Sequence, residues 1–151
     1  MSVNTIVVGA DGSEGSIRAV EWVAGLASQI GARVVAAHTF EPLAHLGEVQ
    51  PPYDFALIEE RVKEKLESEW CAPLAAVGVE YECRLMHGTA FQCLIDAADE
   101  VDADMIVVGA RGYGLLKGLA LGSTSGKLLH LSKRPVTVLP HIRRWDVQSK
   151  L

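Results

Sequence analysis

Residues 104–125 read Asp104-Met-Ile-Val-Val-Gly109-Ala-Arg-Gly112-Tyr-Gly-Leu-Leu-Lys-Gly-Leu-Ala-Leu-Gly122-Ser-Thr-Ser125. A short β-branched run ends at a glycine, a glycine-rich loop follows, and hydroxyl residues then open a helical pattern. A continuous apolar run of this length is what a strand covered on both faces requires. The chain opens in the same way, with Val3-Asn-Thr-Ile-Val-Val-Gly9-Ala-Asp-Gly-Ser13. Both runs end in Val-Val-Gly-Ala, a repeat too short to mark a duplication.

Between these two runs the hydrophobic period alternates. Ser13 is suited to cap a helix. Ile17, Val20, Ala24, Ala27 and Ile30 then recur every three or four residues and predict its inward face, with Gly31 as the stop. Arg33 to Thr39 reads as the second strand. A long connection from Phe40 to Pro52 follows, and connections of that length are often functional covers or binding loops. Ile58, Val62, Leu66 and Trp70 form the stripe of the next helix, which Pro73 is expected to kink or end. Val79 to Met86 is the third strand. Phe91, Leu94, Ile95, Ala98 and Val101 mark another helix. Asp104 to Gly109 is the fourth strand, Ser123 to Leu131 a helix, and Val136 to Leu139 a last strand between Pro135 and Pro140, as suits a sheet edge.

The order β-α-β-α-β-α-β-α-β predicts a parallel sheet with helices on both faces and right-handed crossovers. The two Val-Val-Gly-Ala strands are expected to be neighbours, with the chain reversing direction between them. Open sheets of this kind bind ligands at the carboxyl ends of the strands, at that switch point.

Composition narrows the function. The chain has 151 residues, 49% hydrophobic and 22% charged, as expected for one globular domain. It carries 14 basic and 19 acidic residues, which argues against a general nucleic-acid partner. There is no 18-residue apolar stretch to span a membrane and no basic leader resembling a signal peptide, so a cytoplasmic location is expected. Cys71, Cys83 and Cys93 include no C-x-x-C pair. They read as small buried hydrophobes rather than as a zinc or redox motif.

Two loops converge on the predicted crevice. One is Gly9-Ala10-Asp11-Gly12-Ser13. The other runs from Gly109 through Arg111, Gly112 and Gly114 to Gly122-Ser123-Thr124. Glycines let backbone N–H groups approach an anion, and a helix N-terminus at Ser123 and Thr124 favours phosphate. From Gly109 to Arg134 the charged residues are all basic: Arg111, Lys117, Lys127, Lys133 and Arg134. A phosphate-bearing ligand and a flexible loop with solvated lysines both fit that pattern. The dinucleotide fingerprint G-x-G-x-x-G is absent, and Gly122-Ser-Thr-Ser-Gly126-Lys127 is one residue short of a P-loop and continues into Leu128.

Gly109-x2-Gly112-x9-Gly122-Ser123 resembles the ATP-binding motif of the universal stress protein family, G-x2-G-x9-G-(S/T). The opening Ile6 to Ser13 and the flanks to Val138 resemble that family too, over about Val3 to Pro140. Gly88-Thr-Ala90 departs from it, where many members have proline at the last position. The resemblance implies a Rossmann-like α/β fold with an open five-stranded sheet of order 3-2-1-4-5. It further implies binding of ATP or another adenine nucleotide with magnesium on the phosphates, and a homodimer through Val136 to Leu139. Carried over by position, Ala10 and Asp11 would lie by the ribose and phosphates and Thr39 by the adenine edge. Gly109, Arg111, Gly112, Gly122, Ser123 and Thr124 would surround the phosphates. The implied role is a nucleotide-binding stress-response regulator with an unnamed protein partner. The alternatives are a slow magnesium-dependent ATPase or phosphotransferase, and an interaction protein with an empty site. One domain over residues 1–142 and a tail over 143–151 complete the reading.

Several of these residues also have structural readings. Asp11 suits a ligand contact or a cap on the following helix. His38 and His87 end strands and read as structural histidines, and His45 as solvated. Trp145, beside Arg143 and Arg144, suits a subunit contact or a cover for the chain's own surface.

Overall fold

The computed structural model describes residues 1–42, 51–112 and 121–140. Most of the expected cover over 40–52, together with His45, Lys117, Gly114 and the tail with Trp145, lies outside the described residues. Five strands form one parallel sheet of order β3-β2-β1-β4-β5. They are β1 (Thr5–Gly9), β2 (Arg33–Phe40), β3 (Tyr81–His87), β4 (Met105–Gly109) and β5 (Val136–Leu139). The helices are α1 (Glu14–Ile30), α2 (Phe55–Lys65), α3 (Ala72–Val77), α4 (Ala90–Glu100) and α5 (Ser123–Leu131). No described helix is long and apolar enough to cross a membrane.

The twin apolar runs became the central strand β1 and its neighbour β4. β1 lies between β2 and β4, with Val7 opposite both Val35 and Ile106. Alternation then sends Ile6 and Val8 into one core and Val7 into the other. The first core holds Val20, Val23, Ala24 and Ala27 of α1 with Leu74 of α3. The second holds Leu94, Ala97 and Ala98 of α4 with Leu128 of α5. Asp104 ties the sheet together at its amino ends. Its Oδ2 accepts the Thr5 N–H at 2.9 Å and the Asn4 N–H at 2.7 Å, and these bonds hold its carboxyl below the usual carboxylate range.

Three expectations are corrected. In α1, Ser13 caps the helix by accepting the Ser16 N–H, and Gly31 ends it in the left-handed conformation. Its inward face, however, is made by Gly15, Ser16, Ala19, Val20, Val23, Ala24 and Ala27, while Ile17 and Ile30 are 38% and 46% exposed. Small residues face the sheet because α1 lies so close to β4. A Cβ on Gly15 would come 2.5 Å from the Arg111 carbonyl oxygen, and one on Gly109 2.6 Å from the Gly15 carbonyl carbon. The second correction concerns Pro73. The α2 stripe of Ile58, Val62 and Leu66 is buried, but α2 opens into a π turn over Leu66–Trp70 and stops at Cys71. Pro73 sits in the first turn of α3, where its missing N–H has no helical partner to lose. The third concerns the cysteines. Cys71 and Cys93 are buried, whereas Cys83 is half-exposed and its sulfur lies 2.7 Å from that of Cys71.

Candidate functional site

β1 and β4 are neighbours whose following segments turn to opposite faces of the sheet, α1 against one core and α5 against the other. Above their carboxyl ends lies a crevice of about 680 Å³, within the size range of small-molecule sites. Ala10, Asp11, Thr39, Gly109, Arg111, Gly112, Gly122, Ser123 and Thr124 all line it.

The first loop is shaped by its own hydrogen bonds. Gly12 is left-handed, with φ of 76°. Asp11 Oδ1 accepts the Ser13 N–H at 2.8 Å, and the Ser16 hydroxyl oxygen accepts the Asp11 N–H at 3.1 Å. The loop carboxylate is thus oriented by the loop, while Ser13 does the helix capping. The other carboxylate oxygen reaches toward the second loop. A Cβ on Gly112 would stand 2.6 Å from Asp11 Oδ2, so the two loops meet at this pair.

The second loop is fastened to α5. The Gly122 N–H donates to the Ala110 carbonyl at 2.6 Å, and the buried Ser125 hydroxyl donates to the same oxygen at 3.0 Å. A Cβ on Gly122 would press on Ala110 O at 3.3 Å and Arg111 Cα at 3.4 Å. Gly122 caps α5 without any side-chain hydrogen bond. Ser123 and Thr124 therefore open the helix at the crevice lining, with the positive end of the helix dipole behind them.

The basic segment divides in the structure. Arg111 lines the crevice, and its buried Nε has no hydrogen-bond partner among the described residues. Arg134 is committed elsewhere, to Asp99 and Asp102, each at 3.2 Å. Lys127 Nζ stands over the Phe91 ring at 4.8 Å. Of the basic residues in this segment, Lys127 and Arg134 thus have partners away from the crevice. Gly109, which lines the crevice, also makes room for Gly15 by its missing side chain.

Trp70 is a lining residue that the sequence assigned only to a helix stripe, as are Ile17, Val62 and Leu94. The π turn brings its indole over Gly12, where a Cβ would overlap the ring. Its ring also meets His38 edge-on at 5.1 Å. His38 is buried at the crevice wall, as befits a structural histidine. His87 stays outside the crevice, paired with Glu59 at 2.9 Å. Among the described residues no group of three or more His, Cys, Asp or Glu side chains is disposed to hold a metal ion.

An open parallel sheet with a glycine-lined crevice at its switch point defines a Rossmann-like α/β fold. The family model described as "Universal stress protein family" matches residues 2–140, and the chain belongs to that family. It is 34% identical over 137 residues to a universal stress protein of Thermus aquaticus, covering 89% of this chain and 97% of the relative. It is 32% identical to one of Mycolicibacterium smegmatis, covering 89% of this chain but 47% of that longer protein. Among solved structures, a universal stress protein in complex with cAMP matches with a TM-score of 0.69 and 29% identity, over 93% of this chain and 98% of that one. The universal stress protein from Archaeoglobus fulgidus in complex with dAMP matches with a TM-score of 0.65 and 27% identity, over 91% and 98%.

Proposed function

We propose that the crevice binds an adenine nucleotide, with ATP as the ligand, and that the protein is a stress-response regulator whose nucleotide state sets what it contacts. The observation that carries this reading is the junction at Asp11 and Gly112. Two loops from neighbouring strands close on a helix N-terminus there, with Gly112 bare of a side chain opposite the Asp11 carboxylate. The group fits the residues present. Gly112 and Gly122 leave their positions bare of side chains, Ser123 and Thr124 supply N–H and hydroxyl donors, and Arg111 carries a buried donor without a partner among the described residues. Thr39, at the end of β2, is the candidate for the adenine edge. The cAMP and dAMP complexes of related proteins support an adenine ligand.

Bound ATP would bring three phosphates whose negative charge the helix N-terminus and Arg111 are suited to offset. Magnesium would arrive on the phosphate oxygens and water. The chain's own part is to orient Asp11 through the Ser13 N–H and to hold the start of α5 through Ser125. A single domain over residues 1–142, working in the cytoplasm as a homodimer paired through β5, completes the proposal. An edge strand with free backbone groups calls for a partner or a cover.

Calorimetric titration with ATP tests the reading. The parent protein is expected to bind saturably. Gly122→Val places a branched side chain at the cradle and should weaken binding at least about tenfold. Ser123→Glu puts a carboxylate at the exposed first position of α5, which the helix dipole tolerates and a triphosphate does not. Unchanged affinity in both variants, each checked for folding, would overturn the assignment.

A further inference from the structure

Cys71 and Cys83 meet across the edge of the first core. Cys71 is the residue at which the π turn ends, and its N–H donates to the Leu66 carbonyl five residues back at 3.0 Å. That wide turn points Cys71 into the core while its neighbour Trp70 lines the crevice. Cys83 lies in β3, the edge strand, half-exposed and packed against the same core. The two sulfurs are 2.7 Å apart. Closing to the ~2.05 Å of a disulfide brings the sulfurs together by under about 1 Å. Cys93 stands apart on α4, its thiol donating to the His87 carbonyl at 3.5 Å.

We propose that Cys71 and Cys83 form a thiol–disulfide pair, oxidised by a peroxide, whose bond staples the turn after Trp70 to edge strand β3. This inference stands apart from the nucleotide reading and does not depend on it. The two thiols have different parts. The hydrogen bond they share lowers the Cys83 thiol, against the opposing effects of burial and of Glu67 and Glu82. The same bond, with burial and the charges of Cys83 and Glu67, pushes the Cys71 thiol well up. Cys83, the more acidic and the less buried of the two, is the attacking thiol.

Its sulfur attacks one peroxide oxygen and the O–O bond breaks. The leaving oxygen takes the thiol proton and departs as water, leaving a sulfenic acid on Cys83. The Cys71 sulfur then attacks the Cys83 sulfur. The S–S bond forms, the S–O bond breaks, and a second water leaves with the Cys71 proton. Two thiols lose two protons and two electrons, and hydrogen peroxide is reduced to two waters. The bond fixes Cys71 relative to the sheet, and with it the backbone that carries Trp70 and the chain between the cysteines.

The test is hydrogen peroxide added to the whole protein without nucleotide, followed by intact mass and peptide mapping. The expected product has lost two hydrogen atoms, contains a peptide pair linked through Cys71 and Cys83, keeps Cys93 open to alkylation, and reverts with dithiothreitol. Amides of residues 69–72 should exchange more slowly in the oxidised form. Cys93→Ser should retain the mass loss and Cys83→Ser should abolish it. If Cys83→Ser fails to fold, the mapped parent and Cys93→Ser decide. Oxygen added to Cys83 without a cross-link, or a link through Cys93 or between two chains, would overturn the proposal.

Discussion

Gly109→Ala isolates the packing on which the crevice rests. The added Cβ would meet backbone at every point of contact: the Gly15 carbonyl carbon at 2.6 Å, its oxygen at 2.7 Å and its Cα at 3.0 Å. No flexible side chain can turn away, so relief requires the start of α1 to withdraw from β4. Restoring ordinary contact near 3.5 Å takes a movement of roughly 1 Å. Overpacking of this kind costs about 1–3 kcal/mol, and the rigid backbone on both sides argues for about 3 kcal/mol. In a domain of this size each kcal/mol lowers Tm by about 2–4 °C, so a fall of about 6–12 °C is expected. Gly25→Ala is the control. It lies in the same helix with nothing within 4 Å of its Cβ, and relief of glycine's helix penalty should raise stability by about 0.5–1 kcal/mol. Scanning calorimetry of the three proteins reads both signs. A Gly109→Ala protein that melts within about 1 °C of the parent would refute the close-approach argument, since backbone atoms meet the added Cβ at 2.6 to 3.0 Å.

Further predictions follow the same contacts. Asp104→Ala removes the acceptor for the Thr5 and Asn4 N–H groups. The folded carboxyl is lowered, so its contribution is fully present above the ordinary carboxylate pKa of about 4 and is lost as pH falls through the lower folded value. The Tm difference from the parent should therefore be largest at neutral pH and shrink in acid, and a difference independent of pH would contradict it. Ser125→Ala leaves the Ala110 carbonyl one donor short and should cost about 1 kcal/mol in urea unfolding, with no change expected if the hydroxyl merely fills space. Light scattering should find a dimer at micromolar concentration, and Thr137→Lys should weaken it. Val138 packs on the second core, so Val138→Lys tests folding rather than assembly.

β1, β4 and β5 were legible because each is a β-branched run closed by glycine or proline. The bounds of α5 and β5 agree with the expected ones, and the nine expected site residues all line one crevice. The inward face of α1 was legible at Val20, Ala24 and Ala27 but not at its first turn, because hydrophobicity ranks Ile17 above Gly15 while close packing against β4 demands the reverse. The place of Trp70 was hidden for a related reason. Helical spacing of 3.6 predicts where a stripe points, and one π turn changes that direction without leaving a mark in composition. Arg134 shows the limit of reading charge along the chain, since its partners Asp99 and Asp102 come from a segment some thirty residues earlier.

The central claim is that this crevice holds an adenine nucleotide at the junction of the two glycine loops. A crystal structure of the protein grown with ATP and magnesium tests it most directly. The account predicts the phosphates against Gly112, Gly122 and the N–H groups of Ser123 and Thr124, with the adenine beside Thr39. ATP bound away from that junction, or a crevice that stays empty at saturating nucleotide, would contradict it.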